Sequence, residues 1–245
     1  MNIYQDIQNA VFSNKRLLAV LIDPDKMRAE QVEPFIKKVN ATKANYIFVG
    51  GSEVEEQATE RIVSEIKKFA QLPILIFPGD VTQITNKANA LLFLSLISGR
   101  NSDYLIGKHV EAVKKLKNSK LEVIPTGYIL IENGKQTSVE KVSHTKPMSR
   151  DNIQEIADTA KAGELLGMRM IYLEAGSGAL HPVTEEIIKS VKQELTVPLI
   201  VGGGIRTLDK LNAAYNSGAN MVVIGTAFEE DETFFDELKK SQEDK

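Results

Sequence analysis

Two glycine-rich segments carry the strongest chemical pattern in the chain: Val201-Gly202-Gly203-Gly204-Ile205-Arg206 and Val223-Ile224-Gly225-Thr226-Ala227. A phosphate group needs several convergent backbone N–H donors and close approach of the main chain. Glycine allows that approach and the φ values it requires. The N-terminal end of a following helix adds a favourable dipole. Tight turns would also use glycine, but two such loops, each directly after an apolar run, favour phosphate. The pattern specifies a phosphate monoester and leaves the reaction open, because isomerases, aldolases and flavin proteins share it.

Carboxylates stand at comparable places. Leu21-Ile22-Asp23-Pro24-Asp25-Lys26 closes the first apolar run with two acids and a lysine. Asp23 suits a hard cation such as Mg²⁺, which takes oxygen ligands and keeps waters. Asp25 suits the cap of the next helix. Ser52, in Val49-Gly50-Gly51-Ser52, either caps a helix or offers an oxygen to the same ion. In Tyr172-Leu173-Glu174-Ala175-Gly176-Ser177-Gly178, Glu174 precedes a glycine-serine-glycine turn. A carboxylate beside anion-binding amides is a candidate general base; its plainer use is a salt bridge on the rim.

These groups can meet only if the elements behind them place them on one rim. Eight short apolar, β-branched runs recur, at 17–22, 46–49, 74–77, 90–96, 122–125, 170–173, 198–201 and 221–224. Several are continuous rather than alternating, as in strands covered on both faces. Segments with helical spacing lie between most of them, including 53–70, 152–166 and 184–195. Alternating strands and helices point to an α/β fold with a parallel sheet. Eight strands in 245 residues point to a closed (β/α)₈ TIM barrel, one domain over residues 1–245, whose loops after the strands carry the site. Only 12 residues, 78–89, separate the third and fourth strands. That length predicts a shortened third crossover and a side opening. Strand five is expected to end at Pro125-Thr126-Gly127. The Asn133-Gly134 pair between apolar residues predicts a β-hairpin over 128–139, with a loop running to Pro147.

Composition removes other classes. The chain has no cysteine, which excludes disulfides, thiolate metal sites and cysteine nucleophiles. His109, His144 and His181 are the three histidines and read as structural or solvated. A net charge of −3 gives no general field for nucleic acid or for an anionic membrane. The acids Glu229–Glu232 and Glu243-Asp244 read as a solvated last helix. No basic region followed by an apolar run begins the chain, and no apolar stretch has spanning length, so a cytoplasmic protein is expected.

The runs around Asp23, Gly50-Gly51-Ser52, Pro78-Gly79, Tyr172–Gly178, Gly202-Gly203-Gly204 and Gly225-Thr226 stand in this order over nearly the whole chain. Together they resemble the geranylgeranylglyceryl phosphate synthase family, which includes the bacterial heptaprenylglyceryl phosphate synthases. The resemblance implies a barrel with its third helix replaced and an Mg²⁺-dependent prenyltransferase. Its acceptor would be sn-glycerol 1-phosphate and its donor a long prenyl diphosphate, with geranylgeranyl expected. It implies Asp23 and Ser52 as metal residues, with Asp23 and Glu174 catalytic. It implies Tyr172, Leu173, Glu174, Ala175, Gly176, Ser177, Gly178, Gly203, Gly204, Gly225 and Thr226 as the glycerol phosphate site. Some members carry a lysine two places before the metal aspartate, where this chain has Leu21. That points to the other subgroup and leaves Lys26, Arg100 and Arg206 as candidate cations for the donor. Dimers or hexamers are implied as well.

The chemistry is consistent with these assignments. Glu174 would hold the acceptor's primary hydroxyl and take its proton, while the glycine loops aim that hydroxyl. The side opening would admit the prenyl chain, lined by Phe77, Phe93, Leu94 and Leu96, and Tyr104 would limit its length. Rival readings are a sugar-phosphate isomerase, a flavin oxidoreductase and a non-enzymatic phosphate-binding barrel. The isomerase needs an acid and a base on opposite sides, and the expected end of strand five supplies no acid.

Overall fold

Eight parallel strands close on themselves in sequence order. They are β1 (Leu17–Ile22), β2 (Tyr46–Val49), β3 (Ile74–Ile76), β4 (Ala90–Leu96), β5 (Glu122–Leu130), β6 (Met170–Glu174), β7 (Leu199–Gly202) and β8 (Met221–Ile224). The computed structural model describes residues 2–52, 54–55, 57–225 and 233–239. The pairing of Leu17 with Met221 joins β1 to β8 and closes the barrel, as the strand count predicts.

Side chains alternate between two apolar shells. Leu17, Ala19, Tyr46, Phe48, Leu75, Leu92, Met170, Tyr172 and Ile200 fill the interior. Leu18, Val20, Ile47, Val49, Ile171, Leu173 and Val201 face the helices. Both sides of each strand are therefore buried, which is why the runs read as continuously apolar.

The helices are α1 (Ile3–Phe12), α2 (Ala29–Asn40), α3 (Ala58–Phe69), α4 (Lys108–Leu116), α5 (Ser138–Ser143), α6 (Ile153–Leu165), α7 (Glu185–Glu194), α8 (Leu208–Asn216) and α9 (Thr233–Glu237). Their starts follow capping chemistry. Thr184 accepts from Ile187 N and Thr207 from Lys210 N, each ahead of acids in the first turn. The helix expected over 53–70 begins later, at Ala58, after Gln57 in a left-handed conformation. Helix α1 plugs the end of the barrel opposite the site. Its Ile3 and Ile7 enter the inner shell, and the Glu122 carboxylate accepts from Ile3 N (2.5 Å) and Tyr4 N (2.9 Å). The acidic runs expected in a last helix, Glu229–Glu232 and Glu243-Asp244, lie outside the described residues.

The third crossover is short, as expected. Between β3 and β4 the chain makes one 3₁₀ turn, Val81–Gln83, capped by Asp80. The fourth crossover opens with a π-helical turn, Asp103–Gly107, that runs directly into α4.

The hairpin after strand five does not form. β5 continues to Leu130 and pairs with both neighbours, Tyr128 with Leu96 and Leu130 with Glu174. Residues assigned to the hairpin's first arm are thus barrel strand, and the expected strand end at Pro125-Thr126-Gly127 is also corrected. Beyond it, Asn133 is buried. Its amide donates to Ala175 O, and its Oδ1 accepts from Lys135 N (3.1 Å). The Asn-Gly turn leads into α5 rather than a second strand, because Thr137 and Glu140 form a reciprocal capping box. Ile131 makes a parallel bridge to Met148. Among the described residues, no helix is long and apolar enough to cross a membrane.

Candidate active site

A cavity of about 550 Å³ opens at the C-terminal ends of the strands and extends sideways to the short third crossover. It brings together Asp23, Ser52, Tyr172, Glu174, Gly176, Ser177, Gly178, Gly203, Gly204 and Gly225. Leu173 and Ala175 do not join them. They belong to the outer shell, because strand alternation turns every second residue of β6 toward the helices. Thr226 lies outside the described residues.

At the glycine-rich end, the segments after three strands converge. Gly203 and Gly204 are consecutive residues with φ of +87° and +71°, a conformation that side chains oppose. A Cβ on Gly203 would stand 2.5 Å from Glu174 Oε1 and 2.7 Å from Gly176 N. The glycine therefore lets the β7 loop lie against the β6 carboxylate and amides. The β5 loop clamps the same place. A Cβ on Gly176 would meet Thr137 Cγ2 at 2.6 Å, and one on Gly178 would lie 3.1 Å from Lys135 Nζ and 3.9 Å from an Arg206 nitrogen. Two cations thus flank the Gly176–Gly178 turn. The sequence reading offered Arg206 as a cation for the donor, whereas it stands here beside Gly178, and it missed Lys135. The signal available was the Asn133 turn followed by the Thr137 cap, which pin the residues on either side of it.

Glu174 is 6% exposed. Burial is the main reason its carboxyl is pushed up to about 7, against smaller opposing effects from Gly176 N–H (2.5 Å) and the neighbouring Tyr172 phenol. The Tyr172 hydroxyl lies beside the carboxylate but has no well-aligned hydrogen-bond partner among the described residues. Burial, then the Glu174 charge, pushes its own pKa well up, so it stays a neutral phenol. A carboxylate that titrates near neutrality, next to an unsatisfied hydroxyl, is poised to hold and deprotonate an alcohol.

Across the barrel the site is built from side chains. Asp23 accepts from Asp25 N (3.1 Å) and lies 3.6 Å from Lys26 Nζ. Gly51 packs against it, since a Cβ there would sit 3.2 Å from Asp23 Oδ1. The Gly51-Ser52 loop is held by Gln83, which is 2% exposed. Its Nε2 donates to Gly51 O (2.8 Å), and its Oε1 accepts from Gly79 N (3.3 Å). Asp25 accepts from Glu55 N rather than capping α2, which begins at Ala29. Among the described residues no three His, Cys, Asp or Glu form a metal cluster. One carboxylate and one hydroxyl on a shared wall fit a hard cation that takes its other oxygens from water and a bound diphosphate, as Mg²⁺ does.

The apolar arm holds all four expected residues, Phe77, Phe93, Leu94 and Leu96, with Ile84 and Ala112. The Phe77 ring packs at a tilt against both tyrosines, its centre 5.3 Å from that of Tyr172 and 5.9 Å from that of Tyr128. Tyr104 lines the arm, and its hydroxyl donates to Val142 O (3.0 Å). Lys108 pairs with Asp80 across the short crossover and sits 5.3 Å from the Tyr104 ring centre. His109, read as structural or solvated, also lines the cavity. It bonds Ser95 Oγ (2.9 Å) and stands edge-on to Phe93. Arg100 does not reach the cavity. Its guanidinium donates to Ile97 O and Gly99 O, whereas Lys26 and Arg206 both line the cavity.

Residues 10–242 match the PcrB family. The chain belongs to the PcrB family. It is 52% identical over 234 residues to a geranylgeranylglyceryl phosphate synthase of Flavobacterium johnsoniae, covering 96% of each chain. It is 38% identical over 239 residues to that of Pyrococcus abyssi, covering 97% of this chain and 94% of the relative. The crystal structure of (S)-3-O-geranylgeranylglyceryl phosphate synthase from Thermoplasma acidophilum with sn-glycerol-1-phosphate superposes with a TM-score of 0.90 at 32% identity. That alignment covers 97% of this chain and 96% of the other. The resemblance to the geranylgeranylglyceryl phosphate synthase family, read from the motifs, therefore holds along nearly the whole chain.

Proposed function

We propose that this protein transfers a geranylgeranyl group from its diphosphate to the primary hydroxyl of sn-glycerol 1-phosphate. A C–O ether bond forms at the allylic carbon, the bond from that carbon to diphosphate breaks, and the hydroxyl proton passes to Glu174. The observation that carries this reading is the cavity's two-part chemistry. A buried carboxylate raised to about 7 sits among glycine loops at one end, and an apolar arm leads away from it. Relatives bearing the synthase name and a neighbour holding the acceptor support it.

Each part has a role in this reading. The Gly176–Gly178 and Gly203-Gly204 amides, with Lys135 and Arg206, hold the acceptor phosphate. Tyr172 and Glu174 orient the hydroxyl, and Glu174 accepts its proton in the transition state. The fixed phosphate aims the nucleophile, which removes much of the entropic barrier. Asp23 and Ser52 would hold Mg²⁺, whose positive charge would offset the negative charge developing on the diphosphate leaving group. Lys26 contacts the same diphosphate. Phe93, Leu94 and Ala112 enclose the prenyl chain and exclude water. We place the enzyme in the cytoplasm as a homo-oligomer, whose size sedimentation would give.

A radiolabel transfer assay tests the reading. Glycerol 1-phosphate and glycerol 3-phosphate are each offered with prenyl diphosphates of several lengths, with and without a chelator. Butanol-extractable product from glycerol 1-phosphate, lost on chelation, is expected. Absence of product from every donor overturns it.

A further inference from the structure

One apolar stripe on the surface is used by neither the barrel nor the cavity. Ile106, in the π-helical turn, and Val110 and Val113, in α4, are 60%, 63% and 45% exposed. Their spacing places them along one side of the helix, while Ala112 on another side is buried at the cavity. The charge around this stripe differs from that of the whole chain. Residues 105–120 contain Lys108, Lys114, Lys115, Lys117 and Lys120 against one acid, Glu111, a net of 5 − 1 = +4. The whole chain carries −3, so the remainder carries −3 − 4 = −7. A basic helix with an exposed apolar side is the composition of an interfacial helix. Its position is informative too. The same stretch supplies Lys108, His109 and Ala112 to the apolar arm, beside Tyr104, where the third helix is missing.

We propose that the Ile106–Val110–Val113 face of α4 docks on an anionic lipid bilayer, with the exposed Lys114, Lys115, Lys117 and Lys120 against the headgroups while Lys108 stays paired with Asp80. Docking there would bring the apolar arm of the cavity to the membrane, where a long prenyl donor resides and a lipid product must go. The purpose, though not the docking itself, rests on the prenyl-transfer reading. Charge favours a bilayer over a second copy of the chain. A two-fold interface would set each lysine-rich face against its twin, like charge on like. An anionic leaflet instead attracts each lysine near its surface.

Flotation of the full chain with vesicles tests the inference. Vesicles of phosphatidylcholine alone are compared with mixed phosphatidylcholine–phosphatidylglycerol vesicles. The protein is expected to float with the mixed vesicles only, and to be released by high salt. A triple variant, Ile106→Ser with Val110→Ser and Val113→Ser, and a charge variant, Lys114→Glu with Lys117→Glu, should each weaken partitioning about tenfold or more. Their melting curves and their transfer rates with a short, water-soluble donor should match the parent. No flotation with mixed vesicles overturns the proposal. So does unchanged flotation of the triple variant together with a fall in oligomer mass by light scattering, which would make this face an interface between copies. Failure of the transfer assay with intact flotation would instead remove the enzymatic reading and leave the docking face standing.

Discussion

The two ends of the cavity are built on different principles. At the β6–β8 end the site is main chain: glycine loops, amides and one buried carboxylate, with the β5 loop clamped over them. At the β2–β4 end it is side chains across a gap. Asp23, after β1, faces the Gly51-Ser52 loop that Gln83 staples, and the Lys108–Asp80 pair ties α4 to the short crossover where a helix is missing. The first end suits a small, highly charged ligand whose position must be held to a fraction of an ångström. The second suits a long, flexible apolar chain that must enter and leave. A single barrel can therefore treat acceptor and donor as separate problems, because the loop after each strand varies independently of the shared core.

Breaking the polar groups should have the largest effects. Asp23→Asn is expected to abolish metal-dependent turnover while the thermal midpoint changes little; near-normal rates would remove Asp23 from the diphosphate end. Glu174→Gln should lower kcat by about 10²–10⁴-fold with little change in acceptor KM, since it deletes proton transfer and keeps the shape. In the parent, the acid limb of kcat/KM should fall at about pH 7, where the carboxyl titrates.

The same group predicts a stability effect with a definite sign. The carboxyl titrates at about 7 when folded and near its ordinary value of 4.5 when unfolded. Between those values the folded chain holds a proton the unfolded chain has lost, so stability falls as pH rises through this window. Above it the ligand-free protein carries a penalty of about 3 kcal/mol that the glutamine variant lacks. Ligand-free Glu174→Gln should therefore melt above the parent at pH 8, and the gap should close toward pH 4.5. A constant gap across that range would show that the carboxyl is not perturbed.

Smaller effects sharpen the contrast. Lys135→Ala should raise KM for glycerol phosphate about tenfold, the worth of one charge-assisted contact, with kcat and donor KM nearly unchanged. Lys135→Arg should restore most of it. If donor KM moves instead, this lysine belongs to the other end. Tyr104→Ala should change rates least and donor choice most, admitting longer prenyl chains. An identical product distribution would show that the arm is limited elsewhere.

Where local chemistry repeats along the chain, the sequence alone was enough. The eight apolar runs predict all eight strands, seven of them to within one residue at either end and β5 five residues short, because both faces of each strand are buried and most of its residues must be apolar. The glycine loops and the Tyr172–Gly178 run mark one end of the cavity, where Gly176, Gly178, Gly203 and Gly204 come together. The 78–89 spacing predicts the short crossover, since a helix with its loops does not fit. The reading failed where partners come from far away. Asn133-Gly134 carries a hairpin signal in isolation, but Asn133 is drawn inward by Ala175, 42 residues on, and Thr137 starts a helix instead. Lys135 and His109 gain their places in the cavity, and Gln83 its place behind the Gly51-Ser52 loop, only through the folded barrel. The titration of Glu174 near neutrality belongs to tertiary structure as well, because it is burial by the closed barrel, and not the residue type, that disfavours its charge.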